Sequence, residues 1–306
     1  MDTISDLREK VLVLYSNFEM YITPVVRFLL CLISLIMINS GLGQMEKLNN
    51  VFIVLVVSIV AAFLPLNFTI VIDAMFILLH LYSISLPVVA VVALVFLLMF
   101  VLYFRFTPKE AIAVVITPML FAMKIPYVAP LALGFLGTPV SFISVCCGVV
   151  VYFIITKIGA NPDMFNGSLS MDSAVSGFKS VIDNVLNNST MILMIVVCAL
   201  VVVLANVLKR LSFDYAWQVG LAVSAISGLI VVVLGSSILD ADVSIVGAII
   251  SMIISVILVF ILQLFVYNVD YSRAEFVQFQ DEEYVYFVKA IPRYGVNSDN
   301  DRRGGR

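Results

Sequence analysis

The sequence predicts an all-α polytopic membrane protein with about ten apolar segments and a small cytosolic β-hairpin tail. Three observations carry this prediction: 62% of the 306 residues are hydrophobic, only 12% are charged, and the mean hydropathy is +1.14. Soluble domains have about 45–50% apolar and about 25% charged residues, so this composition lies far outside their range. The same figures exclude intrinsic disorder, collagen and disulfide scaffolds.

Residues 1–20 are predicted to form an amphipathic helix rather than a cleavable signal. The segment mixes acidic and basic side chains, whereas a signal sequence begins with a short basic region. Apolar residues recur at helical spacing and give one apolar face; they are Ile4, Leu7, Val11, Leu14 and Phe18. Such a helix either lies in the membrane interface or packs on the cytosolic surface of the protein itself.

Residues 21–267 are predicted to form the transmembrane helical domain, because a spanning helix needs about 20 mainly apolar residues. Seven stretches meet or nearly meet this length: Tyr21–Gly41, Phe68–Leu86, Pro87–Phe104, Pro139–Thr156, Met191–Leu208, Ala216–Leu234 and Val243–Val266. Three more are short: Val51–Leu64, Glu110–Ala122 and Val128–Leu136. Short or proline-interrupted segments are typical of half-helices and re-entrant hairpins, so these three stretches either span or re-enter.

Lysine and arginine in the short loops predict the orientation, because cytoplasmic loops carry an excess of them. Basic residues occur in the loop 105–110, in the loop 209–214 and in the tail after Tyr267. If every apolar stretch crosses once, all three basic regions share one side. We therefore expect a multi-pass protein of the cell membrane with both termini in the cytoplasm.

The opposing loop 157–190 then faces outward and is predicted to contain an amphipathic helix. Its apolar residues fall on one helical face: Met171, Val175, Phe178, Ile182, Val185 and Leu186. This helix is either a plain surface element or a lid.

Two successive parts of the chain, Val51–Phe104 and Glu110–Thr156, have the same order of segments. Each has a short apolar piece, a break, a second piece, a proline and a long helix. If each part crosses three times, the two are inverted relative to one another, as in many secondary transporters. The alternative is an ordinary bundle in which prolines mark turns and kinks.

Five polar residues within or beside the apolar segments are candidates for a transport role, because such groups are costly there. Asp73 and His80 stand seven residues apart and project from one helix face, which suits proton or cation passage. Asn67 lies at the head of the same segment. Arg27 either faces a pathway or extends to the interface, and Lys124 lines a cavity or meets a lipid headgroup. The competing interpretation is structural, with His80 hydrogen-bonded to a backbone carbonyl and Asp73 nearer an interface.

Small residues recur at every fourth position along two neighbouring spans. They are Gly220, Ser224 and Gly228 on the first, and Gly247, Ser251 and Ser255 on the second. Such stripes let helix backbones approach closely. We expect these spans to pack face to face as an antiparallel pair, with a contact between copies of the chain as the alternative.

Residues 268–306 are predicted to form a cytosolic tail with a strand, an acidic turn and a strand over 275–292 and a disordered end at 297–306. An isolated hairpin is marginal in water, and this one has apolar groups on both faces. We therefore expect it to dock on the protein's own loops, on another copy or on a cytosolic partner. The docking candidates are Phe276, Phe279, Tyr284, Tyr286 and Phe287.

The sequence also limits the classes of function. It has no catalytic constellation or Walker-type loop, and its four cysteines lack metal-type spacing. No enzyme activity, cofactor or metal site is expected, and the net charge of −3 argues against nucleic-acid binding.

The expected function is a permease or transporter component that moves a small solute or ion. It would be coupled to protons or cations, or would serve as the membrane subunit of a larger complex. Its expected partners are the lipid bilayer and either a second copy or other membrane or cytosolic subunits. The alternative is a non-transporting scaffold that docks cytosolic partners through its tail.

Overall fold

A computed structural model describes residues 2–162, 179, 181–211, 215–266, 275–281 and 283–290. The chain divides into two compact units, residues 23–259 and a unit that joins residues 1–22 to residues 260–306. The structure is 79% helical. The amphipathic helix predicted in the loop 157–190 falls mainly outside the described residues, as does the tail end 297–306.

The helices of the described residues are α1 (Asp2–Gly41), α2 (Val51–Phe63), α3 (Leu66–Tyr82), α4 (Leu86–Phe106), α5 (Ala111–Ala122), α6 (Val128–Leu136), α7 (Phe142–Ala160), α8 (Ser189–Leu208), α9 (Ala216–Ile238) and α10 (Ile245–Val266). A 3₁₀ turn, Pro139–Ser141, leads into α7, and a π-helical turn, Ile182–Leu186, precedes α8. Two antiparallel strands, β1 (Glu275–Gln280) and β2 (Val285–Ala290), form the predicted hairpin.

Six helices among the described residues are long and apolar enough to cross a membrane, consistent with an all-α membrane protein. They are Asn17–Gly41, Leu86–Phe106, Pro139–Ala160, Ser189–Leu208, Ala216–Ile238 and Ile245–Gln263. The seventh long stretch predicted from sequence, Phe68–Leu86, is shorter than expected. Its helix α3 ends at Tyr82, where the N–H groups of Ile84 and Ser85 turn back to the carbonyl of Leu81.

The predicted N-terminal helix and the first span both fall within the range of α1, on the two sides of a kink. Helix α1 runs from Asp2 to Gly41 with a distortion at Phe18 (φ −117°, ψ 15°), close to the expected end of the interfacial helix. The side chains of residues 2–16 lie outside the described part, so the predicted apolar face from Ile4 to Leu14 stays a prediction.

The unit 23–259 has two ends that polar contacts define. At the first, which we call the Glu110 end, the Ser141 hydroxyl donates to Glu110 (2.5 Å) and the Lys209 ammonium donates to the carbonyl of Gly137 (2.8 Å). At the other, which we call the Gly41 end, the backbones of Gly41 and Gly159 meet. Four helices, α4, α7, α8 and α9, run between these ends.

The short helices form two hairpins, α2–α3 and α5–α6, which extend into the unit 23–259 from its opposite ends. Helix α2 starts near the Gly41 end and stops at Leu64, whose carbonyl accepts a hydrogen bond from Arg27 (3.1 Å). Helix α3 then returns, so that His80 reaches Met45. Helices α5 and α6 do the reverse: they start and finish at the Glu110 end and turn at residues 123–127.

The small-residue stripe of α9 lies against α8 rather than face to face with α10. A Cβ added at Gly228 would meet Val201 at 2.8 Å, and one at Gly220 would meet Leu208 at 3.2 Å. From α10 only the tip of Met252 reaches Gly228, at 3.2 Å. On α10 itself Ser251 and Ser255 are buried while Gly247 is exposed. The close backbone approach therefore belongs to the α8–α9 pair.

Gly159→Ala is expected to destabilise the unit because the new Cβ would overlap the Gly41 carbonyl, which is backbone and cannot rotate away. Overpacking of this kind costs about 1–3 kcal/mol or more. The measurement is the thermal denaturation midpoint of the detergent-purified protein. Gly247→Ala is the matched control, because its Cβ would meet only Ser244, at 3.4 Å. Equal midpoints for the two variants would contradict the contact.

Candidate functional site

Asp73 is the acidic residue at the middle of the α1–α3 contact. Its carboxyl lies 2.7 Å from the Oγ of Ser34 on α1. No lysine, arginine or histidine pairs with it in the described part of the chain. An ionised carboxylate among apolar helices is costly unless it is paired, so this group is a candidate to bind a proton or a cation.

The Ser34 hydroxyl is the polar group of α1 that contacts Asp73. The Ser34 Oγ is within hydrogen-bond distance of two oxygens, the Cys31 carbonyl (2.9 Å) and Asp73 Oδ1 (2.7 Å). The Ser34 hydroxyl is the donor in both contacts, and it has a single proton, so the Asp73 carboxyl and the Cys31 carbonyl share it.

Asp73 and Ser34 line an internal cavity of about 40 Å³. A cavity needs roughly 10–15 Å³ to hold a water, so this one has room for water beside the carboxyl. Its other walls are mostly apolar side chains of α1, α3, α4, α5 and α7, and Tyr103 of α4 also lines it. A water here would have the Asp73 carboxyl and the Ser34 hydroxyl as polar neighbours.

Tyr103 connects this cavity to a group of polar residues at the Glu110 end. The Tyr103 hydroxyl lies 2.8 Å from the Oδ1 of Asn67 and 3.1 Å from the Pro108 carbonyl. Close by in sequence, Glu110 accepts hydrogen bonds from the hydroxyls of Ser141 (2.5 Å) and Ser144 (3.2 Å). Tyr103 therefore lines the cavity of Asp73 and contacts this polar end through its hydroxyl.

His80 is fully buried and both of its ring nitrogens are occupied. The backbone N–H of Met45 donates to Nδ1 (3.2 Å), and Nε2 lies 2.8 Å from the Oδ1 of Asn39. A backbone N–H needs an acceptor, so Nδ1 carries no proton and Nε2–H donates to Asn39. This tautomer ties the loop after α1 to helix α3.

The other transport candidates are separated from Asp73. Arg27 donates to the Leu64 carbonyl at the end of α2, and Asn67 accepts from Tyr103. Lys124 lies at the tip of the α5–α6 hairpin at the Gly41 end, with φ +61°. The five candidates are therefore distributed over both ends of the unit, with Asp73 between them.

The hairpin of the tail exposes its apolar side chains. Phe287 is 80% exposed and Phe279 53%, while the ring of Phe279 stacks on that of Tyr286 with centroids 5.1 Å apart. Tyr284 is exposed as well. Phe276 belongs to β1, and its side chain lies outside the described part.

The acidic turn of the hairpin is closed by Asp281. Backbone hydrogen bonds from Tyr284 (2.6 Å) and then Glu283 (3.0 Å) hold the pKa of this carboxyl below its ordinary value. A lowered pKa stabilises the turn above about pH 4, the ordinary value for aspartate. This stabilisation is lost as the pH falls through the lowered pKa.

Three residues of the site are not indicated by the sequence. Ser34 is one hydroxyl in an apolar run, and its register against Asp73 depends on how α1 packs. Glu110 stands at the edge of a basic loop, and its position before an apolar helix does not reveal its serine partners. Tyr103 belongs to a span, and nothing in its neighbours indicates a link to Asn67, which is 36 residues away.

His80→Leu is expected to leave both Met45 N–H and Asn39 Oδ1 without a partner and to destabilise the protein by about 2 kcal/mol or more. The measurement is the thermal denaturation midpoint of the variant relative to the unmodified protein. The double variant with Asn39→Leu should cost less than the sum of the two single changes, because the two residues share one hydrogen bond. Strict additivity would argue against the Nε2–Asn39 contact.

Comparisons with models of protein families, with curated proteins and with solved structures find no match to this chain.

Proposed function

We propose that this chain is a membrane permease or transporter component in which Asp73 carries a proton or a monovalent cation during the movement of a small solute or ion. One observation carries the proposal: Asp73 lines an internal cavity, bonds only to Ser34 and has no cationic partner among the described residues. A structural carboxylate in such a place would need a pair, whereas a carrier must be able to gain and lose its charge.

The position of the cavity supports a path across the unit. Its wall includes Tyr103, whose hydroxyl contacts the polar groups at the Glu110 end. Glu110 offers a second carboxyl there, held by two serine hydroxyls. In the proposal, protons or cations enter at the Glu110 end and reach Asp73 past Tyr103. His80 is then a structural residue whose ring nitrogens are both engaged.

The proposed orientation puts the Glu110 end in the cytoplasm of a cell-membrane protein, together with both termini. Arg105 in the last turn of α4 supports this, as do Lys109, Lys209 and Arg210, which follow helices at that end. The opposite entry of the α2–α3 and α5–α6 hairpins further supports an inverted repeat with about ten apolar segments. Inverted repeats with short, broken helices are a frequent way to build a site between two access routes.

Asp73→Asn is expected to abolish flux while leaving the fold intact, because the amide keeps the shape but carries no exchangeable charge. The purified protein is reconstituted in liposomes loaded with a pH-sensitive dye, and proton or ²²Na⁺ entry is measured under an imposed potential. Asp73→Asn should match protein-free liposomes. Glu46→Gln, which removes an exposed acid outside the cavity, should match the unmodified protein. Equal flux through Asp73→Asn and the unmodified protein would sink the proposal.

The second candidate function is a scaffold, and the exposed hairpin favours it. Several aromatic side chains on β1 and β2 stand in solvent, which is unfavourable unless a partner covers them. An extended strand or a groove of a cytosolic protein or a second copy would be a suitable partner.

Phe287→Asp is expected to remove partners that co-purify with the native protein, whereas Gln278→Asp is expected to keep them. The two residues are cross-strand neighbours, so both variants place the same charge on the same face, and only one removes the aromatic ring. The measurement is the set of proteins retained after gentle solubilisation. Partners that survive Phe287→Asp would argue against docking through the hairpin.

A further inference from the structure

The Gly41 end contains a second cavity, of about 370 Å³, that the Asp73 pathway does not use. Its volume falls within the range of small-molecule sites, roughly 300–1,000 Å³. Among the described residues, its walls come from α5, α7, α8 and α10, from the turn between α5 and α6, and from the segment before α10. We call it the outer chamber.

The outer chamber combines charges of both signs. Lys124 and Lys157 line it together with Asp242. None of these three side chains is paired with another described residue. An adjoining cavity of about 440 Å³ shares Lys157 and Asp242 and adds further amide and carboxylate side chains. Such a set can hold a carboxylate and an ammonium group at the same time.

Two buried hydroxyls line the same chamber without a hydrogen-bond partner among the described residues. Tyr127 is 1% exposed and Ser251 is 5% exposed, and the hydroxyl oxygens of both are unpaired. Leaving such a group unsatisfied costs about 1–3 kcal/mol. Unpaired buried hydroxyls are expected where a ligand completes the hydrogen bonds.

The chamber also has an aromatic wall. Phe121 and Tyr152 lie with ring centroids 5.2 Å apart, and Tyr152 meets Phe153 edge to face at 5.5 Å. All three line the chamber. Aromatic faces attract ammonium groups, most of all where water is excluded.

Lys124 occupies a backbone position that glycine normally takes. The N–H of Ile125 bonds to the Leu120 carbonyl and that of Lys124 to the Phe121 carbonyl, which is the pattern of a helix ending in a left-handed residue. A lysine with φ +61° is strained there. Backbone strain of this kind is concentrated at functional sites, and here the Lys124 side chain lines the chamber.

We infer that the outer chamber binds a small zwitterion, with its carboxylate on Lys124 and Lys157 and its ammonium on Asp242 and the aromatic wall. Tyr127 and Ser251 donate hydroxyl hydrogen bonds to the same molecule. A zwitterion is then the substrate class of the proposed transport function. Binding itself is independent of that function, and only the movement of the bound molecule across the membrane rests on it.

Binding is tested on the purified full chain by thermal shift and by calorimetry with glycine, L-alanine, L-phenylalanine and glycine betaine. Sodium acetate and tetramethylammonium chloride are the singly charged comparisons. At least one zwitterion at millimolar concentration should raise the midpoint, and neither comparison should match it. No stabilisation by any zwitterion, or equal stabilisation by acetate, would overturn the inference.

The variants separate a binding role from a structural one. Lys124→Gln and Asp242→Asn should weaken binding of that zwitterion at least about tenfold, while Lys47→Gln, an exposed lysine outside the chamber, should leave it unchanged. Tyr127→Phe and Ser251→Ala remove unpaired buried hydroxyls, so they should keep or raise the ligand-free midpoint. Both should nevertheless weaken binding, by about tenfold. Unchanged binding in these variants would refute the assignment.

The two proposals can fail separately. Zwitterion binding without Asp73-dependent flux would remove the transport function and keep the chamber. Asp73-dependent flux without zwitterion binding would do the opposite.

Discussion

The constraint on which this architecture depends is that every helix end leaves backbone carbonyls without a partner inside the helix. The short helices α2 and α6 have such ends at Leu64 and at Leu136, and side chains that are distant in sequence satisfy them. Arg27 serves the first. Lys209 and Asn206 serve the second by donating to the carbonyls of Gly134, Phe135 and Gly137. Short helices are possible here because distant polar residues complete them.

Several polar side chains of the chain can be divided by whether or not they satisfy a main-chain group. Arg27, Lys209, Asn206 and His80 each satisfy a main-chain group, and their polarity is explained by that contact. Asp73, Tyr127 and Ser251 satisfy none. Asp73 lines the first cavity and Tyr127 and Ser251 line the second, so these cavities, rather than the most charged positions, are the candidates for function.

The membrane class, most helix positions and the tail hairpin could be predicted from the sequence, because apolar runs and strand patterns are local. Asp73 and His80 stand out in the sequence as unusual positions, but their different surroundings were not predictable. The same helix face carries both, yet one meets Ser34 and the other meets Asn39 and a backbone N–H. The stripe of Gly220 and Gly228 likewise indicated close packing but not which helix would approach, since that depends on contacts distant in sequence.

Helices α5 and α7 each line both cavities, with different residues facing each one. Helix α5 lines the Asp73 cavity with Val114 and Pro118 and the outer chamber with Phe121. Helix α7 does the same with Val151 on one side and Tyr152 on the other. Pro118 cannot donate to the Val114 carbonyl, and a proline inside a helix is a common bending point. Coupling between the two cavities needs two arrangements of one packed element. Helix α5 is the candidate element, because it lines both cavities and has Pro118 between them as the point at which it can bend.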